Sequence, residues 1–187
     1  MTISDSTRPQ AFPLARGREK GYDRAAVDAF LSQARGTFEA GGAALDARSV
    51  REVAFPLKRG GYQVAAVDAA LGRIEDAFAA RERERAIADA GPDAWVEHAR
   101  EEAQVILDRM SRARRERFDR VGILSYGYST DEVDLVTDRL TRFFEAGEPI
   151  TVDQVRGAAF RSVRGGYREE QVDALLDAVI GVMLAVR

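Results

Sequence analysis

The sequence predicts an all-α protein built from duplicated helical modules. Each module is a loop with short and long helices, packed into an antiparallel or parallel helical bundle. Three observations predict this. Apolar residues recur at steps of four, three and four in several stretches, as in Val67, Leu71, Ile74 and Phe78. A Gly-Tyr frame, with Val-Asp beginning five residues after the Tyr, occurs four times: Gly21-Tyr22…Val27-Asp28, Gly61-Tyr62…Val67-Asp68, Gly127-Tyr128…Val133-Asp134 and Gly166-Tyr167…Val172-Asp173. No stretch shows the alternating Val/Ile/Thr pattern or the dipeptides of a hairpin, so no strands are expected.

Residues 1–11 lack an apolar period and read as a loose arm. Phe12 to Tyr22 is a basic loop, in which Pro13, Gly17 and Gly21 oppose a helix. Asp23 suits an N-cap, Val27, Leu31, Ala34 and Phe38 form a stripe, and Gly41-Gly42 ends the helix. A short helix over 46–54 turns Val50 and Val53 inward and stops at Pro56. The second long helix carries Val67 to Phe78 and runs into the alternating charges 81–85, a solvated face. Gly91-Pro92 breaks the chain, and Asp93 should cap a helix carrying Trp95, Ala99, Ala103, Ile106 and Met110. Ser129 and Glu132 read as a capping box ahead of Val133, Val136, Leu140, Phe143 and Phe144. Thr151 caps a short helix bearing Val152 and Val155. The last helix carries Val172, Leu176, Val179 and Met183.

The copies fall into pairs. Phe12 and Tyr22 lie ten positions apart, as do Phe118 and Tyr128; Phe55 and Tyr62 lie seven apart, as do Phe160 and Tyr167. A two-module half has therefore been duplicated. The expected division is an arm at 1–11, an N-terminal half at 12–80, a helical connector at 81–116 and a C-terminal half at 117–187.

Composition narrows the function. The chain has 187 residues, 32% charged and 45% hydrophobic, with a formal net charge of −3. That balance gives no global pull toward nucleic acid, and none is expected as a partner. There is no Cys, which removes disulfides and thiolate chemistry and fits a reducing compartment. No apolar run reaches the roughly 18–20 residues of a spanning helix, and the N-terminus has no signal-peptide core, so a cytoplasmic location is expected. His98 is the only His. No catalytic triad, P-loop or dinucleotide fingerprint accompanies it, so the reading is non-enzymatic, with no metal and no cofactor.

The pattern of Phe, a gap, Arg-Gly-(Gly)-Tyr and then Val-Asp-X-X-Leu resembles the N-terminal domain of the DivIVA family, which includes GpsB-like adaptors. It is best matched at Ser49 to Phe78 and Val152 to Met183. Arrays of four such modules look like the repeated DivIVA-domain proteins of actinobacteria. The resemblance implies a cytoplasmic scaffold or adaptor of bacterial cell division or polar cell-wall growth, at the membrane face of septum or pole. Its partners would be division or cell-wall synthesis proteins, with homo-oligomerisation and an anionic membrane surface as further options. Family members dimerise through a coiled coil and can insert a loop aromatic into the membrane. Here no long heptad segment follows the modules, and Arg59 and Arg164 stand where that aromatic would lie, three before the Tyr.

Two candidate sites follow. In GpsB-like relatives the motif Tyr, its Val-Asp carboxylate and an Asp one turn later grip an arginine-bearing peptide. The resemblance carries that role to Tyr128, Asp134 and Asp138, and to Tyr167, Asp173 and Asp177. Carboxylates four apart share one helix face and can receive a guanidinium. The earlier copies have Ser32 and Gly72 instead of the second Asp. The alternative reading is structural: core Tyr rings and carboxylates that fix helix starts or loop arginines. The second site is a set of basic loops, Arg16, Arg18, Lys20, Lys58, Arg59, Arg161 and Arg164, able to meet anionic lipid or simply to pair within the chain. Arg109 to Arg120 is the most basic local stretch.

Overall fold

The computed structural model describes residues 11–42 and 44–186, so most of the arm read at 1–11 lies outside the described residues. The chain is mainly helical, at 62%. It divides into two compact units, Met1–Glu82 and Arg83–Arg187. From Arg83 onward, the residues read as a connector belong to the second unit.

In the first unit, α1 (Arg24–Ala40) starts where Asp23 accepts from the Ala26 N–H at 2.9 Å and stops at Gly41, in the left-handed region. Asp46 caps α2 (Ala47–Glu52) in the same way. The long helix α3 (Val64–Ala90) begins here. The predicted stripes are inward over most of their length: Val27, Val50 and Val67 are 0% exposed, whereas Phe38, at the end of the first stripe, is 39% exposed. One core cluster joins Ala34, Ala47, Val50 and Phe78; a second joins Val27, Tyr62 and Val67, with Phe12, Leu31 and Phe55 against it. Arg51 holds the buried Glu75 at 2.6 Å.

In the second unit, α4 (Pro92–Met110) starts at Gly91 with Pro92 at its first position. Asp93 lies in the first turn but makes no capping hydrogen bond, contrary to the sequence reading. Helix α5 (Thr130–Ala146) follows, then α6 (Val152–Arg156), capped by a Thr151–Gln154 box, and α7 (Glu169–Ala185). α7 packs on α4 and α6, and α4 also packs on α5. α7 is central because Val172, Leu175, Val179, Ile180, Val182, Met183 and Leu184 are all buried.

The absence of strands was not borne out. Two three-residue ribbons are present: β1 (Lys20–Tyr22) with β2 (Leu57–Arg59), and β3 (Tyr126–Tyr128) with β4 (Ser162–Arg164), both antiparallel. Three residues are too few to show a period of two, so their pairing left no signal in the sequence. Each ribbon joins the loops of two modules within one unit. No described helix is long and apolar enough to cross a membrane.

Candidate functional site

The Gly-Tyr frame marks the place where two modules cross. In the first unit the Tyr22 N–H donates to the Tyr62 carbonyl, and the Tyr62 N–H donates back to Tyr22, both at 2.9 Å. In the second unit Tyr128 and Tyr167 exchange the same pair at 3.0 and 2.8 Å. The glycine before each Tyr is required by this approach. A Cβ on Gly127 would sit 2.2 Å from the Tyr167 carbonyl oxygen, and one on Gly166 would sit 2.4 Å from that of Tyr128.

Side chains are exchanged as well. The Tyr62 hydroxyl donates to Asp28 at 3.1 Å, and the Tyr167 hydroxyl donates to Asp134 at 3.1 Å. Tyr22 faces Asp68 and Tyr128 faces Asp173, each carboxylate close enough to add to the burial that raises the hydroxyl. Each motif Tyr thus reaches the Val-Asp carboxylate of the other module in its unit. The aromatic rings follow the same rule. Phe12 packs edge-on against Tyr62 at 5.3 Å, Tyr22 against Phe55 at 5.4 Å, and Phe118 against Tyr167 at 5.2 Å; Tyr128 and Phe160 lie at 5.2 Å. Such ring pairs contribute roughly 0.5–1.5 kcal/mol each beyond area burial.

The six peptide-site residues therefore regroup. Tyr167 stands with Asp134 and Asp138, and Tyr128 with Asp173, whose own helix carries Asp177 one turn on. The first of these groups already holds guanidinium groups from the chain. Buried Arg117 donates to the Asp138 Oδ1 at 2.5 Å and to the Asp134 carbonyl at 2.9 Å. Arg114 pairs with the other Asp138 oxygen. The Arg115 N–H donates to Asp134 Oδ2 at 2.8 Å, and its side chain meets Asp131. Arg115 does this at a φ of 68°, a left-handed backbone that costs a non-glycine residue about 1 kcal/mol or more.

The electrostatics separate the two groups. Burial raises Asp138, but the hydrogen bonds from Arg117 and Arg114 outweigh it, and the carboxyl ends below its ordinary value. Burial and the neighbouring Asp134 push the Tyr167 hydroxyl up to about 12. Asp173 is raised, first by burial and then by Asp177, Glu169 and Glu170, against the lowering hydrogen bond from Tyr128. A Tyr167→Phe variant is expected to lose about 1–3 kcal/mol, because buried Asp134 loses a donor. Urea unfolding followed through Trp95, the only Trp and a residue of this unit, measures it. A wild-type midpoint would show the hydroxyl to be idle.

The basic residues divide. Arg16, Arg18, Lys20, Lys58 and Arg59 are exposed on the first unit's loop and ribbon. Lys58 pairs with Asp23. Arg161 is bound by Glu132 through both its backbone N–H and its side chain. That contact takes the Glu132 carboxylate away from the expected capping box, and Ser129 makes no side-chain cap. Arg164 lies 5.6 Å from the centre of the Tyr126 ring. His98 sits exposed on α4, 3.6 Å from Glu102.

Sequence reasoning missed Ile123 and Leu124. They are 84% and 81% exposed at the tip of the loop before β3. The signal was available: at the 106-residue repeat offset, Gly17 and Arg18 occupy these positions in the first unit. No family model, curated protein or solved structure was found to match the chain.

Proposed function

We propose that the chain is a non-enzymatic scaffold or adaptor of DivIVA-like modules. It would sit at the cytoplasmic face of the membrane and hold proteins of division or polar wall growth there. The observation that carries the reading is the loop tip of the second unit. Ile123, Leu124 and Tyr126 are exposed together, at 84%, 81% and 59%. Arg120 donates to the Gly165 carbonyl beneath the tip, and Arg164 lies against Tyr126. Apolar side chains rimmed by arginine suit an anionic bilayer surface. Each basic residue near such a surface contributes about 1 kcal/mol. Burying an exposed Ile or Leu contributes roughly 1.5–3 kcal/mol.

Co-sedimentation with vesicles of phosphatidylcholine and phosphatidylglycerol tests the reading. The wild type is expected to pellet with the anionic vesicles and to remain soluble with phosphatidylcholine alone. An Ile123→Asn, Leu124→Asn double variant should lose about tenfold or more in binding. Equal pelleting of the two proteins would overturn the membrane assignment.

A second reading has its own observation. Asp173 lies on the solvent-facing side of α7, and its carboxyl is raised first by partial burial and then by Asp177, Glu169 and Glu170. This acidic face would suit an arginine-bearing partner peptide, whereas Asp134 and Asp138 are engaged by the chain's own arginines. If titration of a labelled arginine peptide is unaffected by Asp173→Asn, that reading fails.

A further inference from the structure

The second unit carries a groove that neither the tyrosines nor the loop tip uses. It opens between the N-terminal half of α4 and the C-terminal ends of α5 and α7, with a volume of 590 Å³. Its walls include Trp95, Phe143, Phe144, Val182 and Met183. The Trp95 indole N–H donates to the Ala185 carbonyl at 3.0 Å, so its polar atom is satisfied and the ring presents apolar surface. Among the described residues, the lining includes no Asp or Glu.

Among the described residues, the charged groups lining this groove are two arginines. Arg83, half-buried, and Arg100, exposed, both line it. Arg100 has only a loose contact with Glu97, at 3.8 Å. Arg83 has no acid on its own helix within reach: Ala79, Ala80, Ala86 and Ile87 stand three and four residues away. Among the described residues no carboxylate pairs with it. A half-buried guanidinium beside an apolar groove calls for an anion at that position.

We propose that this groove binds a long-chain carboxylate, with the acyl chain along Trp95, Phe143 and Phe144 and the carboxylate on Arg83. The volume lies within the roughly 300–1,000 Å³ of small-ligand sites. The inference does not depend on where the chain resides or on what the tip loop meets.

Because Trp95 is the only Trp, its emission reports this groove directly. Titrating the full chain with dodecanoate, below its micelle concentration, is expected to give a saturable change in Trp95 emission. Arg83→Gln should weaken binding about tenfold, and Arg83→Lys should recover part of it. Val96→Glu places a negative charge on a wall residue that is 46% exposed and should abolish binding without disturbing the fold, as checked by circular dichroism. Dodecyltrimethylammonium should leave the emission unchanged. Absence of a saturable change overturns the proposal. So does equal affinity for the cationic amphiphile, or equal affinity of wild type and Arg83→Gln.

Discussion

Gly166→Ala is expected to lower the stability of the second unit by more than about 4 kcal/mol, the range of severe single substitutions. The added Cβ would lie 2.4 Å from the Tyr128 carbonyl oxygen, 2.5 Å from that of Gly127 and 2.6 Å from the Gly127 carbonyl carbon. All three are backbone atoms, and no flexible side chain can move aside. Relief requires the Tyr128–Tyr167 hydrogen-bond pair to open, and opening it withdraws the Tyr167 ring from Phe118 and its hydroxyl from Asp134. The loss is therefore cooperative across the module crossing. Gly181→Ala is the internal control. It lies within α7 with nothing inside 4 Å of the new Cβ, so it should be neutral or stabilising by about 0.5–1 kcal/mol. Chemical denaturation followed through Trp95 compares the two. If Gly166→Ala unfolds at the Gly181→Ala midpoint, the close crossing does not hold the unit together.

The contrast between these glycines shows what a sequence can and cannot display. The helical stripes were legible because a side chain's burial depends on its helix face, and face is set by spacing: Val67 and Phe78 are buried as their spacing required. Gly41 was legible as a stop and is a left-handed C-cap, and Gly147 ends α5 in the same way. The repeat was legible, but its reciprocity was not. The family resemblance groups Tyr128 with Asp134 of its own module, whereas Asp134 is bonded by Tyr167, 33 residues away. Which backbones cross is decided by tertiary packing, and no local period records it. The same competition removed the capping box at Ser129. Glu132 had two uses for its carboxylate, and the distant Arg161, offering a charged side chain as well as a backbone N–H, prevailed over a local amide. Ile123 and Leu124 escaped notice because a loop has no periodicity against which an exposed apolar residue stands out.

Arg117→Ala is the other large expected loss, about 3–5 kcal/mol, the cost of breaking a buried ion pair from one side. The Arg117 side chain is only 8% exposed. Its guanidinium serves the Arg112 carbonyl at 3.2 Å, the Asp134 carbonyl at 2.9 Å and Asp138 at 2.5 Å, so one truncation strips three acceptors at once. Arg114 touches the same Asp138 but is 68% exposed, and its removal should be felt far less. Arg117→Lys should not recover the loss, because an ammonium cannot span three acceptors in a planar fork. The pH dependence separates charge from packing. Asp138 is held below its ordinary value in the folded state, since the arginine hydrogen bonds outweigh the burial that would raise it. Its contribution is therefore complete above the unfolded carboxylate value, about 3.9, and is lost as pH falls through the lower folded value. Asp173, raised mainly by burial, acts with the opposite sign: its contribution is present at low pH and is lost as pH rises through its folded value. The acid limb of stability should thus be shallower in Asp138→Asn and in Arg117→Ala than in wild type, and steeper in Asp173→Asn. Urea midpoints measured from pH 7 down to about pH 2, below the unfolded carboxylate value, test both claims. A wild-type acid limb in Arg117→Ala, or an unchanged midpoint at pH 7, would show that Arg117 fills space without holding the two carboxylates in place.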